Sequence, residues 1–221
     1  MLRKIAISAA GAGAIALLVS NPAMAVGTFP PSAPYGITSW TATGASAVTA
    51  SSTNISFQDV TAGITANCTS GSASGTLNAS GGPTDPVVSG LSISTSGCAS
   101  TSPALSFTLT PNTPGGAWEL YATGPTSGGV TPGQIRGVSV KGTALGGLCV
   151  VQVDGPGGAN SQTGVINGSY SAGVITASGS SNITIASASI GCFGAIKKGD
   201  VATLSGTFNV TSSPVPTISA V

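Results

Sequence analysis

The 221-residue chain has no histidine, only six basic and five acidic side chains, and a mean hydropathy of +0.42. So little charge excludes the basic face that displaces counterions from nucleic acid, and no nucleic-acid partner is expected. The missing histidine removes the usual base for a serine or cysteine nucleophile and a common metal ligand, so no catalytic residue, metal or cofactor is expected and the chain reads as a non-enzyme.

In chain order, Met1–Leu2–Arg3–Lys4 is a short positive region, Ile5 to Val19 is apolar and uncharged, and Ala23–Met24–Ala25 is a small-x-small cleavage site. These are the three parts of a secretory signal peptide, expected over residues 1–25. An apolar run of about 15 residues is short of the roughly 20 that span a bilayer. Removing it would change the net charge from +1 to −1, with Arg136, Lys141, Lys197 and Lys198 against Asp59, Asp85, Glu119, Asp154 and Asp200. Residues 26–47 hold Pro30, Pro31 and Pro34 and read as a Pro-rich lead-in arm that Trp40 packs onto the body.

From residue 48 the apolar residues alternate. Ile55 and Phe57 flank Ser56, Leu91 and Ile93 flank Ser92, and Leu105, Phe107 and Leu109 alternate with Ser106, Thr108 and Thr110. Trp118 and Leu120 alternate with Glu119 and Tyr121, and Cys149, Val151 and Val153 with Val150 and Gln152. Ile183 and Ile185 flank Thr184, and Leu204, Gly206, Phe208 and Val210 alternate with Ser and Thr. Period two with β-branched and aromatic residues predicts strands with one buried face. Gly/Pro clusters at 81–83, 111–116, 155–158 and 194–199 separate the runs and predict turns. The expected fold is all-β, a sandwich or barrel of roughly ten short antiparallel strands over residues 48–212.

Cys68, Cys98, Cys149 and Cys192 follow an export signal and are expected to form two disulfides. Three pairings are open. Pairing of sequence neighbours closes loops of about 30 and about 43 residues, each stabilising by roughly 3–4 kcal/mol. A four-cysteine zinc site would need short C-x-x-C spacings that the chain lacks. The order cysteine, short strand, strand, Gly-Cys, strand occurs twice, suggesting two similar halves, 48–125 and 126–212, unless the low complexity alone produces it. The tail, 213–221, is either a frayed end or an edge strand tolerant of Pro214 and Pro216.

Candidate chemistry is sparse. Neither G-x-S-x-G nor S-x-x-K occurs beyond the signal, so a dyad of serine with Lys141, Lys197 or Lys198 lacks a motif. Asp85 and Asp154 sit in turn contexts, and no D-x-D-x-D-G calcium loop occurs. Trp118, Glu119 and Tyr121 form the candidate binding face, a stacking surface if exposed; the competing reading places the large rings in the core. Six N-x-S/T sequons, at Asn54, Asn67, Asn78, Asn167, Asn182 and Asn209, arise readily in a Ser/Thr-rich chain.

The stretch Gly191–Cys192 and Gly199–Asp200–Val201–Ala202–Thr203–Leu204–Ser205–Gly206–Thr207–Phe208–Asn209–Val210, with Cys149 and Gly168–Ser169–Tyr170, resembles a loose group of uncharacterised small secreted Gly/Ser/Thr-rich proteins of actinobacteria. The resemblance implies an exported class and a secreted or cell-surface location, and carries no functional residues. The expected role is that of a non-enzymatic β protein of the cell envelope or medium, structural, adhesive or binding, with an envelope glycan or protein as partner and self-association through sheet edges. The alternatives are an envelope-embedded, pore-like β-barrel and, less in keeping with the missing histidine, a secreted hydrolase.

Overall fold

The structure is a computed structural model and describes residues 36–101 and 104–221; the expected signal peptide and Pro30, Pro31 and Pro34 lie outside the described residues. Its strands are β1 (Trp40–Thr43), β2 (Ala47–Ser52), β3 (Ile55–Asp59), β4 (Ile64–Leu77), β5 (Ser80–Gly81), β6 (Val88–Thr101), β7 (Ala104–Pro111) and β8 (Trp118–Ala122). They continue with β9 (Val130–Val138), β10 (Val140–Ala144), β11 (Cys149–Asp154), β12 (Gly164–Ser171), β13 (Val174–Ser181), β14 (Thr184–Ala188), β15 (Ala202–Val210) and β16 (Thr217–Ala220). The all-β expectation holds, and sixteen segments are present among the described residues because most of the long strands are broken.

The breaks follow from the pairing. β2 and β3 lie end to end between β15 and β4. In the same way β7 and β8 share β6, and β9 and β10 run on across Ser139 against β8 and β7. β11 and β12 pair with β10 and β9, and β13 and β14 with β12 and β11. Joined, these segments make eight long antiparallel strands in chain order, and the last, β15, returns to the first. The result is an up-and-down barrel, settling barrel over sandwich. The clusters at 111–116 and 155–158, expected as reversals, are outward excursions within a strand. Proline gives no ladder donor, so the chain leaves the sheet there and rejoins it in the same direction.

One face of each strand builds a single core. Ile55, Phe57, Leu91, Leu120, Ile135, Val151, Val153, Ile166, Leu204 and Phe208 are buried together, while their alternating neighbours are largely Ser and Thr. On the outer face of β4 and β6 the hydroxyls pair across strands, Ser70 with Ser96 at 2.6 Å and Ser72 with Ser94 at 2.8 Å. Such pairs satisfy polar groups without charge. The barrel is therefore apolar inside and hydroxylated outside. Two of its inner voids, lined by described residues, are small. One lined by Ile55, Ile93, Leu109, Trp118, Leu204 and Phe208 measures about 30 Å³. Another, under Ile218 and Tyr170, measures about 20 Å³. A ligand pocket needs roughly 300 Å³ or more, so neither void is one.

The described end of the arm and the tail join in one sheet. β1 pairs with β16 from Trp40↔Ala220 to Thr43↔Thr217, and with β5, as a three-stranded lid over one end of the barrel. Trp40 is buried and donates its indole N–H to Gly82 O at 3.0 Å, as expected of a packing anchor. Tyr170 donates to Pro216 O and Thr131 to Ile218 O, tying the lid to the barrel wall. Pairing of Trp40–Thr43 with Thr217–Ala220 crosses the expected boundaries at 47 and 213 and puts the two ends of the described chain in one sheet. The tail is the edge strand of the lid.

Both disulfides pair sequence neighbours, Cys68 with Cys98 and Cys149 with Cys192. Each half of the chain supplies four long strands, and its disulfide joins the second to the third. Cys68 and Cys98 face each other on β4 and β6; Cys149 opens β11, and Cys192 lies in the 3-10 turn Ile190–Cys192 just beyond β14. Both bridges sit toward the end opposite the lid.

Candidate functional site

Four places concentrate chemistry. The first is the expected binding face. Period two splits it: Trp118, Leu120 and Ala122 point into the core, with Trp118 only 2% exposed, while Glu119 and Tyr121 point outward. No face carries all three, which corrects that expectation. Outside the wall, Tyr121 donates its hydroxyl to Glu119 Oε2, and the Arg136 guanidinium lies 4.2 Å above the Tyr121 ring. Burial, reinforced by Glu119, pushes the Tyr121 hydroxyl well above its ordinary pKa, and burial lowers that of Arg136. Arg136 donates to Gln134 Oε1, and Gln134 to Asn167 Oδ1 at 2.9 Å. Tyr121 and Arg136 are both buried, so this cluster is closed on itself and presents no stacking platform.

The second place is the excursion from Asp154 to Thr163. Asp154 is fully buried, and its Oδ1 accepts from Gly155 N, Ser161 Oγ and Thr163 N at 2.8–3.2 Å. Gln162 is buried too, accepting from Gly115 N and donating to Gly116 O and Gly137 O. These bonds stitch two excursions together across the outer wall. Among the described residues no group of three or more His, Cys, Asp or Glu side chains is placed to hold a metal ion.

The third is a carboxyl pair. Asp59 is 1% exposed beside Asp200, which is also buried. Asp59 Oδ1 accepts from Ala62 N at 2.9 Å, and Asp200 Oδ2 from Lys197 N at 2.8 Å, so each caps a turn. Burial, with the Asp200 charge adding to it, raises the Asp59 pKa above the ordinary 3.8. Both carboxyl groups are buried, and Asp59 borders a small void with Phe57, Ile64 and Ile196.

The fourth place was missed by the sequence reading. At the end opposite the lid, Ile190 is 96% exposed, Phe193 79% and Leu148 67%, with Val60, Leu145 and Val201 also exposed. They sit on three turns drawn together. The Cys149–Cys192 bridge holds the β10–β11 turn to the β14–β15 loop, and Ser189 Oγ donates to Leu148 O at 2.9 Å. Val60 N donates to Val201 O at 2.8 Å, bringing in the β3–β4 turn. The approach is close enough that a Cβ at Gly191 would stand 2.0 Å from Leu148 O, so only glycine fits.

Leu145 (φ 55°) and Phe193 (φ 52°) hold left-handed backbone conformations, unusual for large side chains and costing about 1–3 kcal/mol each. Each therefore combines strain with exposure of apolar surface. Stability alone disfavours both features, and here they coincide at one end of the barrel. Lys197 and Lys198 are exposed on the same loop, while the carboxylates nearest them in the chain and fold, Asp200 and Asp59, are buried. A signal was readable: Leu145–Gly146–Gly147–Leu148 and Ile190–Gly191–Cys192–Phe193–Gly194 put large apolar residues inside Gly-rich turns, where polar ones are usual. Comparison with protein-family models, curated proteins and solved structures finds no match to this chain.

Proposed function

We propose that this is an exported, non-enzymatic β-barrel with an adhesive or binding role at the extracytoplasmic surface, and that it makes contact through the turn end opposite the lid. The observation that carries this reading is the coincidence of exposed apolar residues, left-handed strain and a disulfide clamp at Leu145–Leu148 and Ile190–Phe193. Exposed apolar groups gathered in one place mark contact sites. The two disulfides fit an oxidising compartment outside the cytoplasm, in keeping with the signal-like N-terminus and the resemblance to secreted actinobacterial proteins. The filled interior argues against a ligand carrier, and the covered carboxyl pair against a hydrolase.

Sidedness weighs against the envelope-embedded alternative. A lipid-spanning barrel turns an apolar band outward and polar groups inward; here the wall is hydroxylated and the inside apolar. The test is fractionation of the producing cell. Wild type is expected with the envelope, and a Leu148→Ser/Ile190→Ser/Phe193→Ser variant of unchanged circular dichroism in the medium. Equal partition of the two would refute docking through this end.

A further inference from the structure

Resting on that docking reading, we propose that the turn end inserts into the interface of an anionic lipid surface. Three observations select lipid as the occupant. The first is shape: Ile190 and Phe193 stand together on the 3-10 turn of the β14–β15 loop, and at 96% and 79% exposure they rest on little of the protein itself. A protruding apolar tip suits a soft medium that closes around it, whereas a protein partner would need a matching cavity for each side chain.

The second is charge. Lys197 and Lys198 share the loop with Phe193 and are exposed, while Asp59 and Asp200 are buried behind the tip. The exposed charge of this loop is thus purely positive, complementary to anionic headgroups at the depth where lysine ammonium groups sit when the neighbouring apolar groups enter the acyl boundary.

The third is internal bonding of the turns. Open donors are costly in an apolar layer, and around the tip Cys192 N donates to Ser189 O, Phe193 N to Ile190 O, Ala195 N to Cys192 O and Leu148 N to Leu145 O, at 3.0–3.3 Å, which lowers that cost without removing it. The disulfide holds both turns in place before contact, which limits the ordering needed on binding. The Ser/Thr wall behind the tip carries almost no charge to oppose approach to an anionic surface.

The experiment uses the full chain with Phe193→Trp, read by fluorescence. Trp40 and Trp118 are buried, at 1% and 2% exposure, and give a fixed background. On phosphatidylcholine vesicles containing phosphatidylglycerol, the added indole is expected to shift to the blue and to be quenched by acyl-brominated lipid; on phosphatidylcholine alone the response is weak. Lys197→Gln and Lys198→Gln should each weaken the response about fivefold, the worth of one cation at an anionic surface. Leu148→Ser/Ile190→Ser should weaken it by roughly tenfold or more. Protein that sediments with vesicles while the emission stays unchanged would assign binding to another segment and overturn the proposal. A blue shift that depends on protein concentration without lipid would assign the tip to contact between copies, and also overturn it. Either result leaves the docking reading standing if envelope retention still depends on the tip, so the two can fail separately.

Discussion

At the residue scale, Asp59 couples the turn end to pH. Unfolded, its carboxyl titrates near 3.8; folded, burial beside Asp200 holds the proton to higher pH. Between those values the native state binds the extra proton, so stability falls as pH rises from about 3.8 through the folded pKa and is level beyond it. Asp59→Asn keeps an oxygen to accept from Ala62 N and gains an N–H that Asp200 can accept. The variant should melt about 2–4 °C above wild type at neutral pH, the response to about 1 kcal/mol in a chain of this size, and the gap should close at pH 3. Calorimetry across pH checks this. A variant less stable at pH 7 would mean that the carboxylate, not its protonated form, supports the turn.

At the scale of elements, the lid depends on Ile218, which is buried in the common core from the inner face of β16. Ile218→Ala leaves a cavity under a sheet held by few strands and should destabilise by about 2–4 kcal/mol. Thermal denaturation should show a loss of about 5–15 °C. If the lid opens alone, the Trp40 emission should move to the red before the main transition; a single coincident transition would make lid and barrel one cooperative unit. The lid also marks where the sequence stopped being legible. Alternation exposed the barrel strands because inside and outside differ in chemistry: Leu204, Gly206 and Phe208 are buried and their Ser and Thr neighbours are not. β1 alternates in the same way, Trp40 and Ala42 buried and Thr41 and Thr43 exposed, but over only four residues. It becomes a strand because β16, far away in the chain, pairs with it. The middle of β4, from Ser70 to Gly75, is Ser and Gly with one alanine, too poor in β-formers to be read as strand; its two flanking ladders hold it. The alternation that placed Trp118 with Leu120 already set it against Tyr121, so the split binding face was readable. The turn end follows no period, and only its large apolar residues inside Gly-rich turns marked it in the sequence.

At the scale of the molecule, closure through β15, β2 and β3 leaves little sheet edge among the described residues: the lid's own edges, and β14, whose outer side meets the start of β15 through the Thr184–Val201 bridge. Closure also sets the order of folding. The ladder between β4 and β6 joins neighbours along the chain and is stapled by Cys68–Cys98. The seam joins Leu204 on β15 to Phe57 on β3, and Asn209 to Ser51 on β2, so nearly the whole barrel must be gathered before it forms. Loop-closure entropy opposes such distant contacts until the intervening ladders exist. Folding should therefore be slow for a chain of this size, with the β4–β6 ladder formed in the transition state and the seam formed after it. Leu91 on β6 and Leu204 on β15 are similarly buried, and truncation of either to alanine should destabilise by about 2–4 kcal/mol. The kinetics should divide them. Leu91→Ala should slow folding, whereas Leu204→Ala should leave the folding rate nearly unchanged and raise the unfolding rate roughly 30- to 1000-fold. Stopped-flow folding and unfolding with both disulfides intact measures this, and a Leu204→Ala variant that folds as slowly as Leu91→Ala would place closure at the seam before the barrier instead of after it.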